Sequence, residues 1–448
     1  MFVVGAVVVI LLIASGAWSF CLAKLNCQVD AKLAEIRKAG YPVTLEELDA
    51  WYPYPEGENA ADVYEEAFAA LVDPDSEKLG DLPVVGGGTL PELGEPLPPD
   101  MQKRIGEFVA ANAEAITILH RAAAIKGCRF KVDLSLGVDA MLPHLGKLRE
   151  CSMTLALAAL LAAEEGRGDG VTEAIRSGLA VGHSLGNEPD LISQLVRIAC
   201  FSITTHNLQS AMNRTTLTPE QCADLAERLR AADAPDALVR AMAAERCRFH
   251  ACLLPEGDAW QDEWWKGDST GWRISSRFAR ATGGSVRARL LWLEVTERYI
   301  NAFRAPESEL YRKATAVETA AISELEQDTR RLTGVSARII LMVLPSYRRW
   351  VAADLKCRAQ LRTARTALAV EQFRQANGRL PKTLDELVPK YLDAVPPDPF
   401  DGKPLRYKRL EKGYVVYSIG PNETDDAGAD LAKLVSGYKG DVTFHILR

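Results

Sequence analysis

The feature that most narrows the architecture is a change of hydrophobic period near the C-terminus. Leu361, Ala364 and Leu368 fall on one helical stripe while Val370 and Phe373 turn onto another, so the spacing predicts a helix packed on more than one side. Asn377-Gly378 suits the left-handed close of that helix, and Pro381 stands where a helix could not continue. Thr383, with Glu386 three residues on, reads as a capping box for a short helix. Pro396-Pro397-Asp398-Pro399 then forbids helix and favours a tight, extended turn. Beyond it the pattern alternates, Leu405 and Tyr407 pointing one way and Arg406 and Lys408 the other. Glu411-Lys412-Gly413 reads as a hairpin turn, Tyr414 to Ile419 as the returning strand, and Val442, Phe444 and Ile446 as a third. Three antiparallel strands against one helix suffice for a small core.

This order, carried by Phe373-Arg374-Gln375-Ala376-Asn377-Gly378-Arg379-Leu380-Pro381, Leu384, Leu387, Pro399, Gly402-Lys403-Pro404 and Tyr417-Ser418-Ile419-Gly420, resembles the globular end of the type II secretion major pseudopilin. The resemblance spans about residues 360–446. It implies a calcium ion in the loop after the second strand, which takes six or more oxygen ligands. In the matching loop, 420–430, the implied ligands are Asn422, Asp425, Asp426 and Asp430. Asn422 stands where that family has an aspartate, so one charge is missing, and a solvated acidic loop is the plain alternative. The family's N-terminal cleavage site and glutamate have no counterpart here, so the resemblance carries a fold and not the role of a filament subunit.

Met1 to Ala23 contains no charged side chain, and at about 1.5 Å per residue it spans roughly 30 Å, enough to cross a bilayer. A cleaved signal peptide is the alternative, since Ala14-Ser15-Gly16-Ala17 supplies small residues; the apolar run continues to Leu22, beyond a signal core, and favours an uncleaved anchor. Lys24, Lys32, Arg37 and Lys38 follow the segment, which would keep the bulk of the chain cytoplasmic. The resemblance implies the opposite side, and the reading follows it: a single-pass cell-membrane protein with the bulk extracytoplasmic, a basic region preceding the segment if translation begins earlier.

The expected organisation is mainly α: anchor 1–24, helical neck 25–72, Pro/Gly-rich linker 73–99, helical body 100–353 and α+β module 354–448. In the neck, Thr44 with Glu47 forms a capping box and Asn59 caps the next helix. In the body, Leu155 to Glu165 and Val171 to Leu185 flank a glycine-rich turn as a helical hairpin, loosely like a tetratricopeptide unit. A second hairpin is expected over 191–212 and 219–232, while Pro345 is expected to interrupt the apolar run Ile339 to Leu344. Trp260, Trp264, Trp265 and Trp272 are expected to plug the end of the array.

Among 448 residues the net charge is −7, which argues against nucleic acid as a general partner. The basic residues between Arg330 and Arg365 read as a solvated helix face pairing with acidic neighbours. Nine cysteines without repeated spacing make neither a disulfide framework nor a zinc signature, and Cys247 and Cys252 could bridge only if the backbone bends them together. Gly182-His183-Ser184-Leu185-Gly186 matches the nucleophile pattern of α/β-hydrolases, which would make Ser184 the nucleophile with His206 or His250 as base. That chemistry demands a strand before the serine. The residues before it are helical in period, so the preferred reading is a helix ending at Gly186, with Asn187 or Asp190 capping the next. The function expected is therefore non-catalytic: an envelope protein whose body and terminal module bind other envelope proteins, linked to a secretion or pilus-like system.

Overall fold

The computed structural model describes residues 2–72, 80, 82–233, 236–254, 284–329, 335–429 and 440–448. The four clustered tryptophans, Arg330, Arg331 and Asp430 lie outside them.

The architecture is mainly α, with a small three-stranded sheet near the C-terminus. The first helix, α1 (Phe2–Lys38), is long and apolar enough to cross a membrane, and Val9 to Ile13 and Phe20 are exposed along it. Its far end is not free. Val29 and Ile36 are buried against Leu293 of α11 (Gly284–Phe303), and Lys32 pairs with Glu297. Two short helices follow, α2 (Leu45–Ala50) and α3 (Ala60–Ala70), capped by Thr44 and Asn59 as their spacing predicts. The described part of the 73–99 stretch is packed rather than loose: Leu82 and Leu97 are buried against α4 (Pro99–Ala111) and α6 (His144–Glu164).

Between α4 and the sheet the chain packs helix on helix. After α5 (Ala113–Ala122), α6 and α7 (Gly168–Ser184) form the expected hairpin. The second expected hairpin does not form: α8 (Leu191–Met212) packs back on α6 and α7, while α9 (Pro219–Ala232) packs on α7 and on the long helix Val335–Asn377. The α7–α8 contact is close because α7 has glycine where a side chain would not fit. A Cβ at Gly178 would lie 2.7 Å from Thr204 Oγ1, and one at Gly182 would lie 2.3 Å from the Phe201 ring. Next come α10 (Ala237–Cys252), α11 and α12 (Glu307–Thr329). Cys247 and Cys252, both on α10, are free thiols.

The spine is α13 (Val335–Asn377), 43 residues or about 65 Å of continuous helix. Leu344, Tyr347, Trp350, Val351 and Leu355 pack into one core with α10, α11 and α12. Leu361, Ala364, Leu368, Val370 and Phe373 pack into a second core with α7, α8, α9 and the sheet. Contrary to the sequence expectation, the helix runs through Pro345. A proline there costs about 3 kcal/mol, but burying several large side chains on both sides of it, at roughly 1.5–3 kcal/mol each, outweighs that. The basic stretch on this helix also departs from expectation. Arg358 and Arg362 are not a solvated face: Arg358 is 4% exposed, pairs with Asp354 at 2.7 Å and Glu307 at 3.0 Å, while Arg362 pairs with Asp233 at 2.6 Å. The carboxylates outweigh the burial that would discharge Arg358 and hold its pKa up.

The helix closes at Asn377, with Gly378 at φ +67 as the left-handed cap. The Thr383 capping box does not form. Glu386 instead accepts from Lys382 N at 2.5 Å and from Arg379 at 2.6 Å, and the segment is a single 3₁₀ turn, Leu384–Leu387, too tight for the reciprocal pair. The sheet is a meander in which β1 (Arg406–Arg409) pairs with β2 (Tyr414–Ser418) and β2 with β3 (Val442–Ile446), both antiparallel. Gly413, at φ +79, makes the hairpin, because a Cβ there would collide with Ile446 O.

Asp398 locks the proline-rich turn to this sheet. It is buried, and its carboxylate accepts from Phe400 N, Ser418 Oγ, Ile419 N and Arg406 Nη1, all at 2.7–3.0 Å. Replacing one of its oxygens by an amide nitrogen sets a donor against two of these four donors in a buried site and removes the charge that pairs with the half-buried Arg406. Asp398→Asn is therefore expected to lower stability by about 3 kcal/mol, measured as a fall in the urea midpoint of the intact protein with an unchanged slope.

Candidate functional site

The motif around Ser184 is the last turn of a helix. Ser184 ends α7, its hydroxyl donates to Val181 O at 2.7 Å, and the side chain is 5% exposed. No strand or elbow precedes it, and Gly182 serves the close α7–α8 contact instead. Asp190 caps α8, accepting from Ser193 N at 2.8 Å, as the helical reading predicts. Neither candidate base is arranged to activate Ser184. His206 lines a separate groove with Pro83, Leu90 and Gln360, and His250 Nε2 faces the Arg289 guanidinium at 3.2 Å.

The loop implied to hold calcium is bonded within itself. Asn422 Oδ1 accepts from Thr424 N at 3.1 Å, and its amide nitrogen, a donor, faces Asp426 Oδ2 at 3.1 Å. Asp425 accepts from Ala427 N at 2.9 Å and faces Arg406 at 3.5 Å. Asp441 ties the loop down from β3's side, accepting from Asp426 N and Gly428 N. Among the described residues no group of three His, Cys, Asp or Glu side chains could hold a metal ion.

The structure brings together a set of residues that the sequence reading did not join. A cleft of about 540 Å³ opens between α7, α8, α9, the start of α3 and the turn after α5. The described residues lining it include Lys126, Arg176, Arg197 and Arg228, and no carboxylate. Arg176 and Arg228 are braced from behind by Asp224, at 2.9 and 3.1 Å. Lys126 is exposed on the opposite lip. Arg197 is the unusual member. It is 4% exposed, its Nη2 donates to Ala232 O at 3.0 Å, its plane lies over the Phe201 ring, and its Nε has no hydrogen-bond partner. No described carboxylate pairs with it. Burial draws its pKa down, against the more distant pull of Asp354.

The electrostatics of the cleft show in its other titratable groups. His183 stands at the mouth with part of its ring in solvent. Protein on its remaining sides, helped by Arg197 and Arg228, lowers its pKa to about 4, so it is neutral at pH 7. Cys128 is pushed up to about 12 by burial and by the Glu188 and Asp62 charges, so it is a thiol and not a nucleophile. The cleft thus combines four cationic side chains with a neutral imidazole, a buried hydroxyl and a protonated thiol. Arg197 shares the buried stripe of Gln194, Phe201 and Thr204 on α8, and a stripe so polar gives no sign in the sequence that its arginine is buried.

Beside the cleft lies a buried polar network. Glu188, wholly buried, accepts from Ser193 Oγ at 2.5 Å and pairs with His144 at 3.0 Å, while Asp190 pairs with Arg248. Gln194 Nε2 donates to the carbonyls of Leu185 and Glu188 at 2.8 and 2.9 Å. These bonds fix the α7–α8 connection, which carries Gly186 and Asn187 to the cleft wall.

Comparison with known proteins finds no match: no family model fits the chain, and neither the curated proteins nor the solved structures include a similar one.

Two measurements follow. A fluorophosphonate probe is expected to leave the protein unlabelled, and labelling that disappears in Ser184→Ala would show an activated serine. His250 is buried, and desolvation together with Arg289 and Arg246 lowers its pKa to about 4. Between about pH 6.5 and 4 the unfolded chain takes up a proton that the folded protein refuses, so stability is full above that window and lost as pH falls through it. Unfolding free energies from urea titration at pH 7.5 and 5 are expected to differ less in His250→Gln than in the parent, by roughly 2 kcal/mol.

Proposed function

We propose that this chain is a non-catalytic, membrane-anchored binding protein whose helical body receives an anionic group in the cleft around Arg197. One observation carries the proposal: Arg197 is buried on the cleft wall with its Nε unbonded and no carboxylate in contact, only the more distant Asp354 and Asp233 offsetting its charge, and a buried guanidinium without a contacting counter-charge is costly. A bound anion supplies that counter-charge. The exposed apolar half of α1 supports the anchor.

The proposal extends to location and partners, on separate support. A place in the envelope, with the bulk of the chain outside the cytoplasm and in contact with other envelope proteins near a secretion or pilus-like apparatus, rests on the order of signals between Thr366 and Ile446. Protease added to intact spheroplasts is expected to digest the body; a body protected until the membrane is broken would put it on the other side.

For binding, the test is the melting temperature of the intact protein in neutral detergent. A polyvalent anion such as citrate is expected to raise it above that in chloride of equal ionic strength. At a hundredfold excess over Kd the gain is about 2.7 kcal/mol. Lys126→Ala, on the exposed lip, and Arg197→Gln are both expected to reduce the shift. An equal shift in parent and variants would locate the anion elsewhere and remove the cleft from the proposal.

A further inference from the structure

Resting on that reading, we infer that the group received in the cleft is a phosphate, as the free ion, a soluble phosphate ester or a phospholipid headgroup. The cations come from different parts of the chain. Arg176 projects from α7, Arg197 from α8, Arg228 from α9, and Lys126 from the turn after α5, so four separate segments bring positive charge to one cleft. A carboxylate is planar and carries one charge, and it is satisfied by a single guanidinium fork. A phosphate is tetrahedral, carries between one and two charges near neutrality and offers three or more strong acceptor oxygens to donors from several directions. Convergence from four segments is the arrangement that uses them.

The way the arginines are already engaged favours the same ligand. Arg176 spends Nε and Nη2 on Asp224, and Arg228 spends Nε on it, so neither presents its full fork to the cleft. Asp224 therefore holds two guanidiniums side by side and leaves them a net positive pair with single donors to offer. Lys126 adds a point charge, the common lysine contribution to phosphate binding. Arg197 provides the buried charge behind them. Tyr64 and Leu179 close the floor, so the cleft has an apolar side for a compact organic group on the phosphate.

The test uses the intact protein in neutral detergent and titration calorimetry with inorganic phosphate and with succinate at matched ionic strength. Phosphate is expected to bind at least about tenfold more tightly than succinate, and Lys126→Ala and Arg228→Ala are each expected to weaken it about fivefold or more. Lys126 is exposed, so its loss of binding is readable without loss of the fold, and circular dichroism of each variant checks this. Nanodiscs of phosphatidylcholine with and without phosphatidate separate the sources. Tighter capture of the phosphatidate discs, lost in Lys126→Ala, assigns a headgroup, and soluble phosphate binding without that preference assigns a free ion or ester; either supports the inference. Succinate binding as tightly as phosphate would overturn the phosphate assignment while leaving the anion reading standing. No binding of either, together with no citrate shift in melting temperature, would overturn both.

Discussion

A helix shared by two cores has to satisfy both sets of neighbours at once, and α13 is in that position. Its N-terminal half completes the core of α10, α11 and α12, and its C-terminal half completes that of α7, α8, α9 and the sheet. Between the two, Arg358 and Arg362 meet Asp233, Glu307 and Asp354, which come from the end of α9, the start of α12 and α13 itself. Buried ion pairs add little net stability over apolar packing, but breaking one leaves a charge stranded in the core. The cluster therefore works as a registry mark: it fixes which turn of α13 lies against α9 and α12. Sliding the helix by one turn would strand several charges together.

That registry sets the edge of the sheet. β3 would present unpaired backbone groups along its outer side, a liability for any exposed strand. Here α8 covers it with side-chain amides: Asn213 donates to His445 O at 2.8 Å and accepts from Leu447 N at 2.7 Å, and Gln209 accepts from His445 N at 2.9 Å. Two residues at the end of one helix thus act as a fourth strand. The terminal sheet is held by α8 as well as by α13, so α8 is common to both the sheet and the cleft.

Much of this fold was legible because it rests on local signals. The period switch after Pro399, the left-handed close at Gly378, and the caps at Thr44, Asn59 and Asp190 each depend on a few neighbouring residues. What escaped depends on residues far apart in the chain. Pro345 stays helical because side chains from three other helices bury the turns around it. Asp398 looked like a turn residue and is a buried anchor, because its donors include Ser418 at the end of β2 and Ile419 just past it. The Gly-x-Ser-x-Gly pattern misleads for the same reason: nothing near Gly182 announces that Phe201 will lie against it. The cleft was the least legible part, since Lys126, Arg176, Arg197 and Arg228 have no common spacing and meet only through the packing of four segments.

The proposed anchor gives the cleft a fixed setting. Crossing a bilayer takes about 20 apolar residues, and α1 has 37, so from Lys24 to Lys38 it continues as helix beyond the apolar run. An isolated helical stub in water would be marginal. This one is held by Val29, Leu33 and Ile36 against α11, by the Lys32–Glu297 pair, and past its end by the Arg304 to Tyr41 bond at 2.6 Å. The two contacts advance together, Lys32 to Tyr41 on one chain segment and Glu297 to Arg304 on the other, so α1 and α11 run in the same direction. On that geometry the body is mounted on its anchor rather than tethered by it. α11 packs on α10 and α13, and α13 packs on α8 and α9, so a continuous series of packed helices connects the anchor to the wall that holds Arg197. A flexible tether would let the cleft sample every orientation to the bilayer, whereas a mounted body presents it at one height and one angle, which restricts the ligands that can reach it from the membrane side.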